Sequence, residues 1–198
     1  STVVRMLTTL LMPTSGSALV AGFDVVSEPT DVRLRIGAAL QDAALDPKQT
    51  GIELMRLQGH LYGLSSSEID QRIDELEPLV DIGDAIKDQI GTYSGGMNRR
   101  LDLAAALIHN PQVLFLDEPT ASLDPSVTLS IEALIDDIHH SGTKIVMTTH
   151  DLGQARRMAD EVLFMHRGRV LEHGPAAAFF AGPESEAAQA FLAGDLFW

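Results

Sequence analysis

The sequence predicts an α/β fold: a mostly parallel sheet with helices on both faces and a helical segment inserted into it. Three observations carry this. Short, nearly continuous apolar runs recur in IGAAL (36–40), VLFL (113–116) and TKIVMTT (143–149). Runs of that length without polar alternation suit strands buried on both faces. Segments with apolar residues at helical spacing separate these runs, the alternation that produces parallel neighbours. Residues 50–92, by contrast, are mainly helical and rich in acidic surface positions.

Taken in order, STVVRMLTTLLMPTSG (1–16) reads as an amphipathic helix closed by a Pro-Thr-Ser-Gly turn. SALVAGFDV (17–25) reads as extended, TDVRLR (30–35) as a short helix, and IGAAL as a strand ending at Gln41. GIELMRLQGHLYGL (51–64) has a helical period, and SSSEIDQRIDELEPLVDI (65–82) opens with a capping-box pattern, Ser65 to Glu68. GGMNRRLDLAAALIHN (95–110) is a helix stopped by Asn110-Pro111, and QVLFLDEP (112–119) a strand running into two carboxylates. SVTLSIEALIDDIHHSG (126–142) is an amphipathic helix with a glycine stop, and TKIVMTTHD (143–151) a further buried strand. EVLFMHRGRVLEHG (161–174) is a hairpin about Arg167-Gly168, and AGPESEAA (181–188) a turn between two terminal helices.

Composition narrows the function. The formal net charge is −14, from 28 acidic and 14 basic residues, which argues against a general nucleic-acid binder because that needs a basic surface. There are no cysteines, so disulfides and thiolate metal sites are ruled out. No apolar run reaches the roughly 18–20 residues needed to span a bilayer. No basic region followed by an apolar one stands at the start, so any membrane role is expected to come through a partner.

Two stretches carry chemistry. In VLFLDEPTASLDP (113–125), Asp117 and Glu118 follow four apolar residues, and ligands of an open parallel sheet sit beyond such strand ends. An acid there can hold Mg²⁺ on a nucleotide, usually through water, and its neighbour can polarise a water for in-line attack on a γ-phosphate. Two solvated acids ending a strand is the plain alternative. In YSGGMNRRLDLA (93–104), Ser94-Gly95-Gly96 stands directly before a helix, whose N-terminal amides suit a phosphate. For the tripeptide alone, an ordinary serine cap is the better reading.

Together the two stretches resemble the ATP-binding-cassette (ABC) ATPases. YSGGM resembles their signature motif, VLFLDE their Walker B strand and SLD (Ser122 to Asp124) their D-loop; Gln41 matches the Q-loop glutamine and His150, in IVMTTHD, the switch histidine. The resemblance implies a P-loop NTPase (RecA-like) fold, ATP and Mg²⁺, and two cassettes paired head to tail. Glu118 would be general base, with Gln41 and His150 completing the catalytic set. Asp117, Gln41 and Ser1 would serve the metal. Ser1, Thr2 and Asp124 would contact nucleotide, and Ser94, Gly95 and Gly96 would reach the γ-phosphate held by the partner.

The resemblance further implies one ABC ATPase domain over 1–198, with a helical subdomain at about 49–104 between RecA-like parts 1–48 and 105–198. It implies a second ABC ATPase subunit (a homodimer), a transmembrane permease and a peripheral place on the cytoplasmic face of the cell membrane, with no nucleic acid. Two departures stand out. Tyr93 and Met97 replace the usual Leu and Gln of the signature, and no G-x-x-x-x-G-K-[ST] motif occurs in the sequence. Ser1-Thr2 fits the residues that follow that motif's lysine. The expectation is therefore a chain cut within Walker A, lacking the N-terminal strands and P-loop, and poorly active or inactive by itself.

Residues 1–120 look most like the drug- and antibiotic-export type, and 125–198 more like importers of oxyanions such as tungstate or phosphate. A junction of two subfamilies and one unusual lineage both stay open. Drug-type export is the favoured function and oxyanion import the alternative. A non-transport ABC ATPase is disfavoured, because the chain has no cysteines, no heptad tract and one set of motifs.

Overall fold

The computed structural model describes residues 2–40 and 45–195. The chain divides into two compact units, Ser1–Thr148 and Thr149–Trp198.

The first unit begins with α1 (Thr2–Leu7), much shorter than the helix expected up to the turn at Pro13. The Thr8 amide (2.8 Å) and hydroxyl (2.9 Å) both donate to the Val4 carbonyl, and the helix breaks at the next residue, Thr9, which takes φ 61°. The amides of Leu10 and Leu11 then both donate to the Arg5 carbonyl, closing the end. The extended run that follows is a small antiparallel hairpin, β1 (Leu19–Val20) and β2 (Phe23–Asp24). Its turn is Ala21-Gly22, both at positive φ, as a tight two-residue hairpin turn requires. Helix α2 (Pro29–Arg33) starts with proline in its first turn, and Arg33 donates from Nε to the Thr9 hydroxyl (2.7 Å).

The sheet contains β3 (Ile36–Ala39), β4 (Val113–Asp117) and β5 (Lys144–Thr148), all parallel, in the order β3-β4-β5. Ile36 pairs with Val113, and Val113 in turn with Lys144. The pleat divides their side chains between two faces. On one, Ile36 and Phe115 join Val4, Val20, Val25 and Val32 in a single buried cluster. On the other, Gly37 lies so close to the following helical layer that a Cβ there would stand 2.3 Å from the Ala106 carbonyl oxygen. β4 is buried along nearly its whole length. β5, expected to be buried, is only half-buried.

Between β3 and β4 the regular elements among the described residues are helices. α3 (Gly51–Leu61) and α4 (Ser66–Val80) each open with a capping box, Thr50–Glu53 and Ser65–Glu68. Two short 3-10 turns, Gly83–Lys87 and Ile90–Thr92, lead into α5 (Gly95–Leu107). That helix ends where Asn110 takes φ 55° ahead of Pro111. Arg72 of α4 caps it from outside, donating to the carbonyls of Leu107 (3.0 Å) and Ile108 (3.2 Å). α6 (Pro125–His140) then connects β4 to β5, burying Ile131, Leu134, Ile135 and Ile138.

The second unit contains α7 (Leu152–Met158), the antiparallel hairpin β6 (Glu161–His166) and β7 (Arg169–Pro175), and α8 (Ala176–Ala181) and α9 (Glu186–Ala193). The hairpin turns at Arg167-Gly168, both at positive φ, where the sequence signals it. Glu172 accepts hydrogen bonds from the amide (2.6 Å) and hydroxyl (2.5 Å) of Ser185, tying the hairpin to the start of α9.

Candidate functional site

Asp117 is the last residue of β4 and is buried (6% exposed), and the Thr148 hydroxyl at the end of β5 donates to its carboxylate. Glu118 follows outside the strand at φ 49°, a left-handed conformation that costs a residue with a side chain energy. Its amide donates to the Thr148 carbonyl (3.0 Å), so the two parallel strands together hold the turn. The backbone then bends through Pro119 and Thr120, with Ser122 at φ 64°. Two residues at positive φ within five positions place the strain at the carboxyl edge of the sheet, the edge at which parallel sheets bind ligands.

Asp124 caps α6. Its Oδ1 accepts from the amides of Ser126 (3.0 Å) and Val127 (3.1 Å) and from the Ser126 hydroxyl (2.6 Å). Those bonds, the Ser126 hydroxyl first, hold its carboxyl below the usual range.

Ser94 caps α5 by accepting from the Met97 amide (3.2 Å), and is exposed together with Gly95. The cap uses the hydroxyl oxygen as acceptor, so its proton can still be donated. Gly96 is forced: a Cβ there would meet Val127 Cγ1 at 2.8 Å, whereas Gly95 has ordinary room beside Leu123. The start of α5 and the first turn of α6 thus abut through Gly96.

Tyr93, in place of the usual leucine, is buried and donates its hydroxyl to the Ala85 carbonyl (2.5 Å), fastening the 3-10 turn that precedes the signature. Burial raises its pKa.

Of the other expected site residues, Thr2 is exposed at the start of α1. His150 belongs to the second unit, immediately before Asp151, which caps α7 by accepting from the Gln154 amide (3.0 Å). Ser1 and Gln41 lie outside the described residues. Oxygen donors such as Asp117 suit a hard cation like Mg²⁺, which usually takes one or two carboxylates and keeps several waters. Among the described residues no three His, Cys, Asp or Glu side chains form a ready-made metal cage.

Inspection of the sequence missed Arg99. It sits one turn into α5, 7% exposed, and its guanidinium donates to backbone carbonyls at two strand ends. Nε donates to Pro119 (2.9 Å), Nη1 to Leu40 (2.9 Å) and Nη2 to Ala39 (3.4 Å). Asp102, one turn further along, accepts from Nη1 (2.9 Å). Burial lowers the Arg99 pKa and pushes Asp102 up to about 6, against the attraction of Arg99. The spacing of Arg99 and Asp102 was readable as an i, i+3 pair, but nothing local signals that the fork faces inward.

The chain belongs to the ABC transporter family: the family model described as ABC transporter matches residues 1–121. It is similar to the daunorubicin resistance ATP-binding protein DrrA3 of Streptomyces coeruleorubidus, 43% identical over 176 residues, covering 89% of this chain and 56% of that protein. The ABC transporter ATP-binding protein NatA of Bacillus subtilis (strain 168) is 31% identical, covering 94% of this chain and 76% of NatA. Among solved structures, cbiO1 from Clostridium perfringens, part of the ABC transporter complex cbiONQ, matches with TM-score 0.81 and 28% identity, covering 91% of this chain and 74% of that one. The chain spans about half the length of the daunorubicin and doxorubicin resistance proteins it matches, 53–56%. Family membership and the P-loop NTPase architecture expected from the motifs are therefore established.

Proposed function

We propose that this chain belongs to the ATP-hydrolysing subunit of an ABC exporter of drug-like molecules, acting as a pair with a second ATPase subunit beneath a transmembrane permease. The observation that carries the reading is the end of β4: a buried Asp117 held by Thr148, followed by Glu118 projected out of the strand at positive φ. Asp117 would hold Mg²⁺ through water, together with Gln41 and Ser1. Bound Mg²⁺ supplies charge neutralisation on the phosphates. Glu118 would accept a proton from the attacking water, Gln41 would also serve that water, and His150 would contact the γ-phosphate. Thr2 and Asp124 would contact nucleotide, and Ser94, through its hydroxyl proton, would reach with Gly95 and Gly96 the γ-phosphate bound by the partner.

The helical segment at about 49–104 would be the subdomain that faces the permease. No helix among the described residues is long and apolar enough to cross a membrane, so association with the cytoplasmic face would be peripheral. Export is supported by similarity to a daunorubicin resistance protein across 89% of the chain, which also favours one lineage over a junction of two. Copurification of the full-length protein should identify its permease, and an oxyanion permease would overturn export.

The chemical test is Glu118→Gln in the full-length protein. Turnover should fall at least about 100-fold, as for loss of a general base, while ATP binding is retained. Undiminished Mg-ATPase activity would remove Glu118 from the mechanism.

A further inference from the structure

Arg99 is a costly residue to bury, and what it touches explains its place. A guanidinium offers five donors in a rigid plane, so it can tie together several fixed backbone acceptors that a lysine or an apolar side chain cannot. Here its acceptors belong to two separate segments. One is the end of β3, Ala39 and Leu40, directly before Gln41 in the sequence. The other is Pro119, the residue after Glu118. The carbonyl of Pro119 lies one residue beyond the left-handed Glu118, so holding it opposes relaxation of that strained turn. Arg99 itself is on α5, five residues after Ser94, and Asp102 of the same helix steadies the fork.

We propose that Arg99 is a positioning residue: it locks the start of α5 to the segments leading into Gln41 and out of Glu118, so that all three are held as one body. The inference rests on the reading of Glu118 as general base and Ser94 as a phosphate contact. On that reading, Arg99 connects the groups that act on one nucleotide with the groups this chain presents to the other. Arg99 reaches the chemistry through the backbone, and the effect of losing it is misplacement of the groups it holds. Displacement of a reacting group by about 1 Å can cost 100-fold in rate.

The test uses the full-length protein with its permease. Arg99→Lys keeps the charge beside Asp102 but cannot span both segments. The expected result is a fall in kcat of at least about tenfold, with the ATP dissociation constant within about twofold, both measured at a temperature where circular dichroism shows the variant folded. An unchanged kcat, or a loss explained wholly by weaker ATP binding, overturns the proposal. If Arg99→Lys does not fold, Asp102→Asn decides. It preserves shape while replacing the ionised acceptor of the Arg99 fork by a neutral one, and kcat should fall about threefold at constant ATP affinity. A wild-type kcat in that variant overturns the proposal. Glu118→Gln is run beside both. If it retains turnover, the underlying reading fails; if it is inactive while the Arg99 and Asp102 variants match wild type, only the positioning role fails.

Discussion

Replacing His109 with phenylalanine should remove a specific acid sensitivity from the fold. His109 follows α5, with its ring stacked on Tyr62 at 3.6 Å between centroids and 2° between planes. Its Nε2 lies 2.9 Å from the Ile36 carbonyl, so that nitrogen carries the proton and donates it. Nδ1 is then the basic nitrogen, and it is buried without a hydrogen-bond partner. Adding a proton there creates a buried charge with no acceptor, and Arg72 alongside adds repulsion. Burial, the larger cause, lowers the pKa from 6.5 to about 4.

A histidine with a depressed folded pKa stays neutral in both states at high pH. As pH falls below 6.5 the unfolded chain takes up the proton first, so stability is lost until the folded pKa is reached. With these two values the loss is about 2 kcal/mol between about pH 7.5 and pH 5, and about 3 kcal/mol by pH 4. Phenylalanine keeps the stack and cannot titrate. It forfeits the bond to Ile36 at every pH, which shifts the whole curve without changing its slope. Urea unfolding of both proteins at the two pH values isolates the difference. Equal pH slopes for wild type and His109→Phe would refute the reasoning.

Other perturbations test the packing and the caps. Gly37→Ala places a methyl 2.3 Å from the Ala106 carbonyl oxygen and 3.0 Å from Leu114 Cδ1. The helix must move off the sheet, and urea unfolding should show a loss of about 1–3 kcal/mol; wild-type stability would mean α5 is not held that close. Ser65→Ala removes the α4 cap, whose oxygen accepts from the Glu68 amide while Glu68 returns a bond to the Ser65 amide (2.8 Å). The expected cost is about 1 kcal/mol, read from the denaturation midpoint, and no shift would argue that α4 is fixed by packing alone.

Much of the fold was legible because its signals are local. Continuous apolar runs became β3 and β4, the Ser65–Glu68 box opened α4, Asn110-Pro111 stopped α5, and Arg167-Gly168 turned the hairpin. The Thr50–Glu53 box was equally readable and was passed over. Where reading failed, a tertiary contact or a local competitor decided. The opening apolar pattern continues past Leu7, but Thr9 turns to φ 61° and ends the helix. β5 has the apolar composition of a buried strand, yet is only half-buried.

The sequence by itself determined the family, through short motifs that fall in one order along the chain: Ser94-Gly95-Gly96, Asp117-Glu118, Asp124 and His150. It also determined most element types, since apolar period and caps act over a few residues. Only the tertiary structure decided what holds these motifs in place. Gly96 is needed because Val127 stands against it, Tyr93 because its hydroxyl reaches Ala85, and Arg99 because strand ends 59 and 20 residues away converge on its guanidinium. Such partners are set by the fold of the backbone, and no local pattern encodes them.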